Sequence, residues 1–212
     1  MTELFISAFV TFFVVIDPPG CAPIFASLTQ GASAAHRRTM ALKSVLIASA
    51  ILLFFALLGE DLLKKLGVSL HAFKIAGGIM LFLIALEMVF EKRQERRSNR
   101  AEEVKRDEEV EDISVFPMGI PMIAGPGSIA AVMLLMARNE GLAATFTVLG
   151  ALAANLVLVL LALLAAGPLM RLVGHKVEGM VTRLLGVILA ALAVQFVLDG
   201  IEAMLIAGPA TS

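Results

Sequence analysis

Apolar residues gather into six stretches, at about residues 4–28, 41–58, 70–90, 113–137, 142–166 and 181–206. Each is close to the roughly 20 residues that an α-helix needs to cross a hydrocarbon core. Short polar turns separate most of them. One holds His36, Arg37 and Arg38; another is Gly59-Glu60-Asp61, followed by the amphipathic connector Leu62-Leu63-Lys64-Lys65-Leu66. Gly167-Pro168 leads into a basic connector with Arg171 and Lys176. Residues 91–112 form a long polar segment, with seven basic and nine acidic residues in mixed order and no aromatic residue. Such a segment reads as a solvated or frayed helical loop. The pattern predicts an all-α integral membrane protein with six transmembrane helices. Residues 1–90 hold a first three-helix repeat, 91–112 a charged cytoplasmic loop, and 113–212 a second three-helix repeat.

Two of the six stretches are interrupted from within. The first contains Ile16-Asp17-Pro18-Pro19-Gly20-Cys21-Ala22-Pro23, and the fourth contains Ile120-Pro121-Met122-Ile123-Ala124-Gly125-Pro126-Gly127-Ser128. Proline removes a backbone donor and pushes the residue before it out of the helical region, so helices 1 and 4 are predicted to break near mid-membrane. A shift of 107 residues lays Ile16, Pro19 and Gly20 over Ile123, Pro126 and Gly127. At a shift of 108, Gly78 meets Gly186, Ala85 meets Ala193, and Glu87 meets Gln195. Breaks, connectors and polar positions thus keep their order in both halves. Three spans per half is an odd number, so the halves enter the membrane from opposite sides, which predicts a 3+3 inverted-topology repeat.

Composition agrees with the membrane reading. The 212 residues are 59% hydrophobic and 17% charged, with a mean hydropathy of +0.92. The net charge of −1 argues against a nucleic-acid partner, and the one cysteine, Cys21, excludes an intramolecular disulfide. His36, His71 and His175 are isolated, so no metal site is expected. No basic residue precedes the first apolar run, which predicts no cleaved signal peptide. Placing the N-terminus outside puts thirteen Lys and Arg in cytoplasmic loops against four outside. The positive-inside bias then predicts both termini outside.

The sequence resembles a known family in Asp17-Pro18-Pro19-Gly20-Cys21-Ala22-Pro23, in Phe73-Lys74-Ile75-Ala76-Gly77-Gly78, and in Ile120 through Gly127. These look like the signatures of the MarC family, within the lysine-exporter-like superfamily, and the likeness covers nearly the whole chain. The resemblance implies six spans in a bacterial or archaeal cytoplasmic (inner) membrane. For some members it implies transport of neutral amino acids such as alanine and glycine. The chain departs at Cys21, where the family commonly has Asn, and at Lys74, where it often has Arg.

The breaks suggest a chemistry. A helix restarting inside a membrane exposes N–H groups without intrahelical partners, and its dipole favours an anionic group there. An amino-acid carboxylate would suit the Gly125, Pro126, Gly127 and Ser128 end, and the solute ammonium or a proton would suit Asp17. Pro18, Pro19, Gly20, Cys21, Pro23 and Pro121 are the remaining candidates for lining a solute site. Each also has a plainer role: Asp17 as a helix cap, the prolines and glycines as kinks or packing positions, and Ser128 bonded to its own backbone. Glu87 is a second ion-coupling candidate, or a side chain snorkelling to the interface. Asn155 reads as interhelical glue.

The expected function is a secondary transporter of a small zwitterionic solute, by alternating access, with Asp17 and Glu87 as candidates for proton coupling. No Gly-rich Lys-Ser/Thr phosphate loop, nucleophile–base pair or cofactor motif is present, so neither an ATP-driven pump nor an enzyme is expected. A passive channel and a non-transporting membrane assembly or regulatory protein are the alternatives. The expected partners are the solute and membrane lipid, the latter beside residues 92–106. A homodimer would suit six spans, although no residue requires one.

Overall fold

The structure is a computed structural model describing the backbone of residues 1–106, 112–139 and 141–207, with the side chains of all these except 105, 106, 168–178 and 207. Among the described residues every regular element is helical. Helix α1 (Thr2–Ile16) ends where Asp17 turns left-handed, and α2 (Pro18–Leu28) starts at the proline that follows. Helix α3 (Ala34–Lys65) is capped by Ser33, whose hydroxyl accepts from the His36 N–H at 3.2 Å. Ser69 caps α4 (Leu70–Val89) in the same way, accepting from the Ala72 N–H at 3.1 Å.

Helix α5 (Lys92–Arg106) follows directly after Glu91, whose φ is +61°. The irregular segment Ser114–Ile123 carries non-helical backbone at Phe116 and Ile120, each preceding a proline in a cis peptide bond. It meets α6 (Pro126–Arg138) at a 50° bend. Helices α7 (Leu142–Leu164) and α8 (Ala166–Ala207) complete the chain.

Five helical stretches are long and apolar enough to cross a membrane: Thr2–Leu28, Ala34–Lys65, Leu70–Val89, Leu142–Leu164 and Gly179–Ile206. The bent pair Ser114–Ile123 and Pro126–Arg138 makes a sixth if it counts as one span. Their outer faces carry exposed Leu46, Phe146, Leu184 and Ile206, as surfaces meeting lipid tails would. Phe12, Ile16, Phe25, Leu134 and Leu152 fill the interior.

Two connectors differ from the sequence expectation. Helix α3 does not stop at Gly59-Glu60-Asp61 but runs on to Lys65. Glu60 and Lys64 pair one turn apart at 2.8 Å, Leu63 is buried, and the stop comes from Gly67 at φ +71°. The helix therefore ends where a left-handed residue forces it to, not where charge first appears. The backbone of α8 is likewise helical from Ala166, while the side chains of Arg171, His175 and Lys176 lie outside the described residues.

Helix α3 packs on the Ser114–Ile123 segment and α6, α7 packs on α1 and α2, and α4 pairs with α8. The last contact depends on glycine. A Cβ at Gly78 would lie 2.7 Å from Val197 Cγ2 and 2.8 Å from the Ala193 carbonyl oxygen; one at Gly186 would lie 2.9 Å from Met88 Cβ and 3.1 Å from the Ala85 oxygen. Lipid supplies no hydrophobic drive between helices, so close backbone approach carries the pairing. Gly78→Ala should therefore destabilise the protein by about 1–3 kcal/mol. The check is its unfolding midpoint in mixed detergent micelles, where no shift from wild type would contradict the packing argument.

Candidate functional site

Asp17 is fully buried between α1 and α2, at φ 60° and ψ 66°. Among non-glycine residues, Asp and Asn are enriched in this left-handed region. The conformation turns the carboxylate back over the first turn of α2, where Oδ1 accepts the Gly20 N–H at 3.1 Å. Pro18 takes the first helical position, where its missing N–H costs nothing. Gly20 is required there: a Cβ would lie 2.2 Å from Asp17 Oδ2.

The other carboxylate oxygen is held by a residue the sequence reading leaves in a solvated loop. Arg97 of α5 donates from Nη1 to Asp17 Oδ2 at 2.9 Å and from Nη2 to the Ile16 carbonyl at 3.4 Å. Its side chain is 9% exposed and that of Asp17 is 0% exposed, so this ion pair is buried. One turn earlier Arg93 donates to the Val15 carbonyl and reaches Met88 Sδ at 3.0 Å. Arg96 pairs with Glu87, which joins α5 to the end of α4. The signal was present in the spacing. Arg93, Arg97, Ala101 and Val104 recur at helical intervals, and Arg97, Ala101 and Val104 are buried. Guanidinium groups within a polar run do not register as an apolar stripe, so periodicity alone passes over them.

The second break lies beside the first. Gly125 caps α6 without any side-chain acceptor, and a Cβ on Gly127 would meet Ile84 Cδ1 at 2.6 Å and Val15 Cγ1 at 3.3 Å. Ser128 is buried, and its hydroxyl donates to the Ile123 carbonyl, five residues back, at 2.7 Å. Cys21, also fully buried, donates from Sγ to the Ile16 carbonyl, five residues back, at 3.5 Å. These two bonds occupy corresponding places under the 107-residue shift.

A cavity of about 310 Å³ opens between α5 and the start of α6. Pro121, Gly125, Pro126, Gly127 and Ser128 line one side, and Arg93, Arg96, Arg97 and Arg100 face them, with Glu87 and Glu103 nearby. The structure thus brings the candidates of the second break together around one space. Asp17, Pro18, Pro19, Gly20 and Cys21 do not line it; Arg97 stands between it and Asp17, and Pro23 borders a different cavity of about 630 Å³ beside α2. Gln195, the counterpart of Glu87, donates to Asp199 at 2.7 Å, and Asp199 pairs with Arg138. Asn155 donates to the Phe9 and Ala151 carbonyls, each at 3.0 Å, and so ties α7 to α1. Outside the spans, hydrogen bonds from Ser114 and then Lys43 hold the Asp112 carboxyl down to about 2. Among the described residues no three His, Cys, Asp or Glu side chains gather as a metal site would require.

Comparison with known proteins places the whole chain in one group. The sequence pattern described as MarC family integral membrane protein matches residues 2–205. The chain is 41% identical to a UPF0056 membrane protein of Methanocaldococcus jannaschii, over 96% of this chain and 98% of that one. It is 35% identical to the UPF0056 membrane protein YvbG of Bacillus subtilis, over 96% and 97% of the two chains. A UPF0056 membrane protein of Archaeoglobus fulgidus is also 35% identical, over 96% and 95%. No solved structure matches.

Proposed function

The chain belongs to the MarC family of integral membrane proteins, and from that premise we propose that it is a secondary transporter of a small zwitterionic solute, a neutral amino acid such as alanine or glycine. The observation that carries the reading is a polar space lined by the second break, whose facing wall includes Arg97, the residue paired with Asp17 at the first break. Interrupted helices that converge inside a bilayer are tolerated where they line a cavity.

An inverted 3+3 repeat, with its halves rocking around this space, is the mechanism we infer. Reciprocal contacts support it. Gly78 faces Ala193 and Val197, while Gly186 faces Ala85 and Val89; a shift of 108 residues turns each contact into the other. That exchange is what a two-fold axis between antiparallel α4 and α8 requires. The matched Cys21 and Ser128 bonds repeat the relation at the two breaks. So does the packing of α3 on the second break and α7 on the first.

In this reading the solute carboxylate sits at the uncapped start of α6, within the field of Arg93 and Arg96. The ammonium takes the Asp17 carboxylate when Arg97 is not on it, and Asp17 and Glu87 are the groups through which a proton could couple. The protein sits in the cytoplasmic membrane with both termini outside, which places α5 on the cytoplasmic side.

The test is uptake of radiolabelled alanine and glycine into proteoliposomes, with and without an imposed proton gradient. Saturable accumulation that the gradient increases is expected, with Asp17→Asn losing the gradient-driven part. Flux that neither saturates nor concentrates would favour a channel. No uptake of either solute by folded, inserted protein would overturn the substrate assignment.

A further inference from the structure

Helix α5 is an unusual neighbour for a buried site. Its described residues are mostly charged or polar, and the apolar side chains it buries are Ala101 and Val104. Hydrophobic packing therefore contributes little to its position. Polar links hold it instead, among them Arg97 on Asp17, Arg93 on the Val15 carbonyl, and Arg96 on Glu87. Cavities flank it on two faces, about 310 Å³ toward α6 and about 630 Å³ toward α2. An element with few apolar contacts and partial seating belongs to the low-stability end of a structure. It also begins beside a ready hinge, since Glu91 turns at φ +61° between α4 and α5.

Resting on the transporter reading, we propose that α5 is a mobile plug: Arg97 is its latch, occupying the cation seat on Asp17 and closing one mouth of the site until α5 swings away. A guanidinium and a solute ammonium both satisfy the same carboxylate, so the seat exchanges one cation for another and Asp17 need not stay buried unpaired. Arg96 engages Glu87 from the adjacent position, so both candidate coupling carboxylates are released by one movement.

Cys21 reports the movement. It is the chain's single cysteine, fully buried one turn beyond Asp17 on α2. Its modification by a membrane-impermeant methanethiosulfonate can be timed in oriented vesicles, with reagent added to one side at a time. Wild-type protein should label slowly from either side. Arg97→Gln should label about tenfold faster or more, and only from the side where α5 lies, as a shift toward the open population requires. Arg97→Lys, which keeps a cation for Asp17, should stay near the wild-type rate.

Arg97→Gln leaves Asp17 unpaired, so Asp17→Asn/Arg97→Gln provides the same readout without a buried lone charge. Proteins that elute as folded species yet label no faster than wild type, in either variant, would overturn the plug. The transporter reading stands or falls separately. Fast labelling without alanine or glycine uptake keeps the plug and removes the substrate, whereas uptake with unchanged labelling does the reverse.

Discussion

Asp17→Ala should cost about 3–5 kcal/mol of stability, the range seen when one partner of a buried ion pair is removed. Two losses combine in it. The cap on the Gly20 N–H disappears, a loss typically near 1 kcal/mol. Arg97, 9% exposed, is left as an uncompensated charge, and this second effect dominates. The prediction follows that Arg97→Ala in the Asp17→Ala background recovers most of the loss, because it removes the stranded charge. Asp17→Asn should fall between the two, since Asn also adopts the left-handed backbone and still offers an oxygen to Gly20. The measurement is the unfolding midpoint in mixed micelles across the full double-mutant cycle. If Asp17→Ala shifts stability by less than about 1 kcal/mol, the ion pair contributes no more than an exposed one would. If the double variant is additive, the pair is not coupled at all.

The same pair marks where the sequence stopped being informative. Six apolar runs are visible by inspection because crossing a bilayer demands about 20 apolar residues in a row. They correspond to α1 with α2, α3, α4, the Ser114–Ile123 segment with α6, α7 and α8. Local backbone geometry also follows proline and glycine: the chain leaves helical φ and ψ at Asp17, before Pro18, and again at Ile120, before Pro121. A further departure at Phe116 could have been read from Pro117, which imposes the same restriction on its predecessor.

What local rules cannot supply is the partner of a buried charge. Asp17 alone reads as a carboxylate awaiting a ligand, and residues 92–106 alone read as a solvated helix. Only their juxtaposition, 80 positions apart in the chain, turns Arg97 into an interior residue. Glu87 likewise shows no partner in the sequence pattern, and the structure pairs it with Arg96 of α5. Ser128 donates to the Ile123 carbonyl of its own segment, and its oxygen borders the cavity, where it can accept.

Gly125→Ala should be the most damaging single-methyl change at the second break, costing about 3 kcal/mol or more, at the upper end of overpacking effects. The added Cβ would lie 2.3 Å from the Pro121 carbonyl oxygen. The oxygen is main chain and a Cβ position is fixed by the backbone, so no rotamer change relieves the contact; either the 50° bend opens or α6 shifts from Ile84 and the cavity wall. Backbone strain is not the cause, because Gly125 sits at φ −87°, a value any residue adopts. Gly141 separates the two mechanisms. Its φ is +98°, yet a Cβ there would meet nothing within 4 Å. With ψ at 152° this is backbone that essentially only glycine adopts, so Gly141→Ala should cost about 1–3 kcal/mol, the conformational penalty alone. Gly150→Ala, with its nearest contact at 4.0 Å and ordinary helical backbone, should be neutral or slightly stabilising. Unfolding midpoints for the three variants should rank Gly125→Ala lowest, and equal losses at positions 125 and 141 would mean that the Pro121 contact does not shape the break. Under the proposed transporter function, a folded Gly125→Ala protein should also lose uptake, since the start of α6 and the arginines of α5 could no longer face one another across the same space.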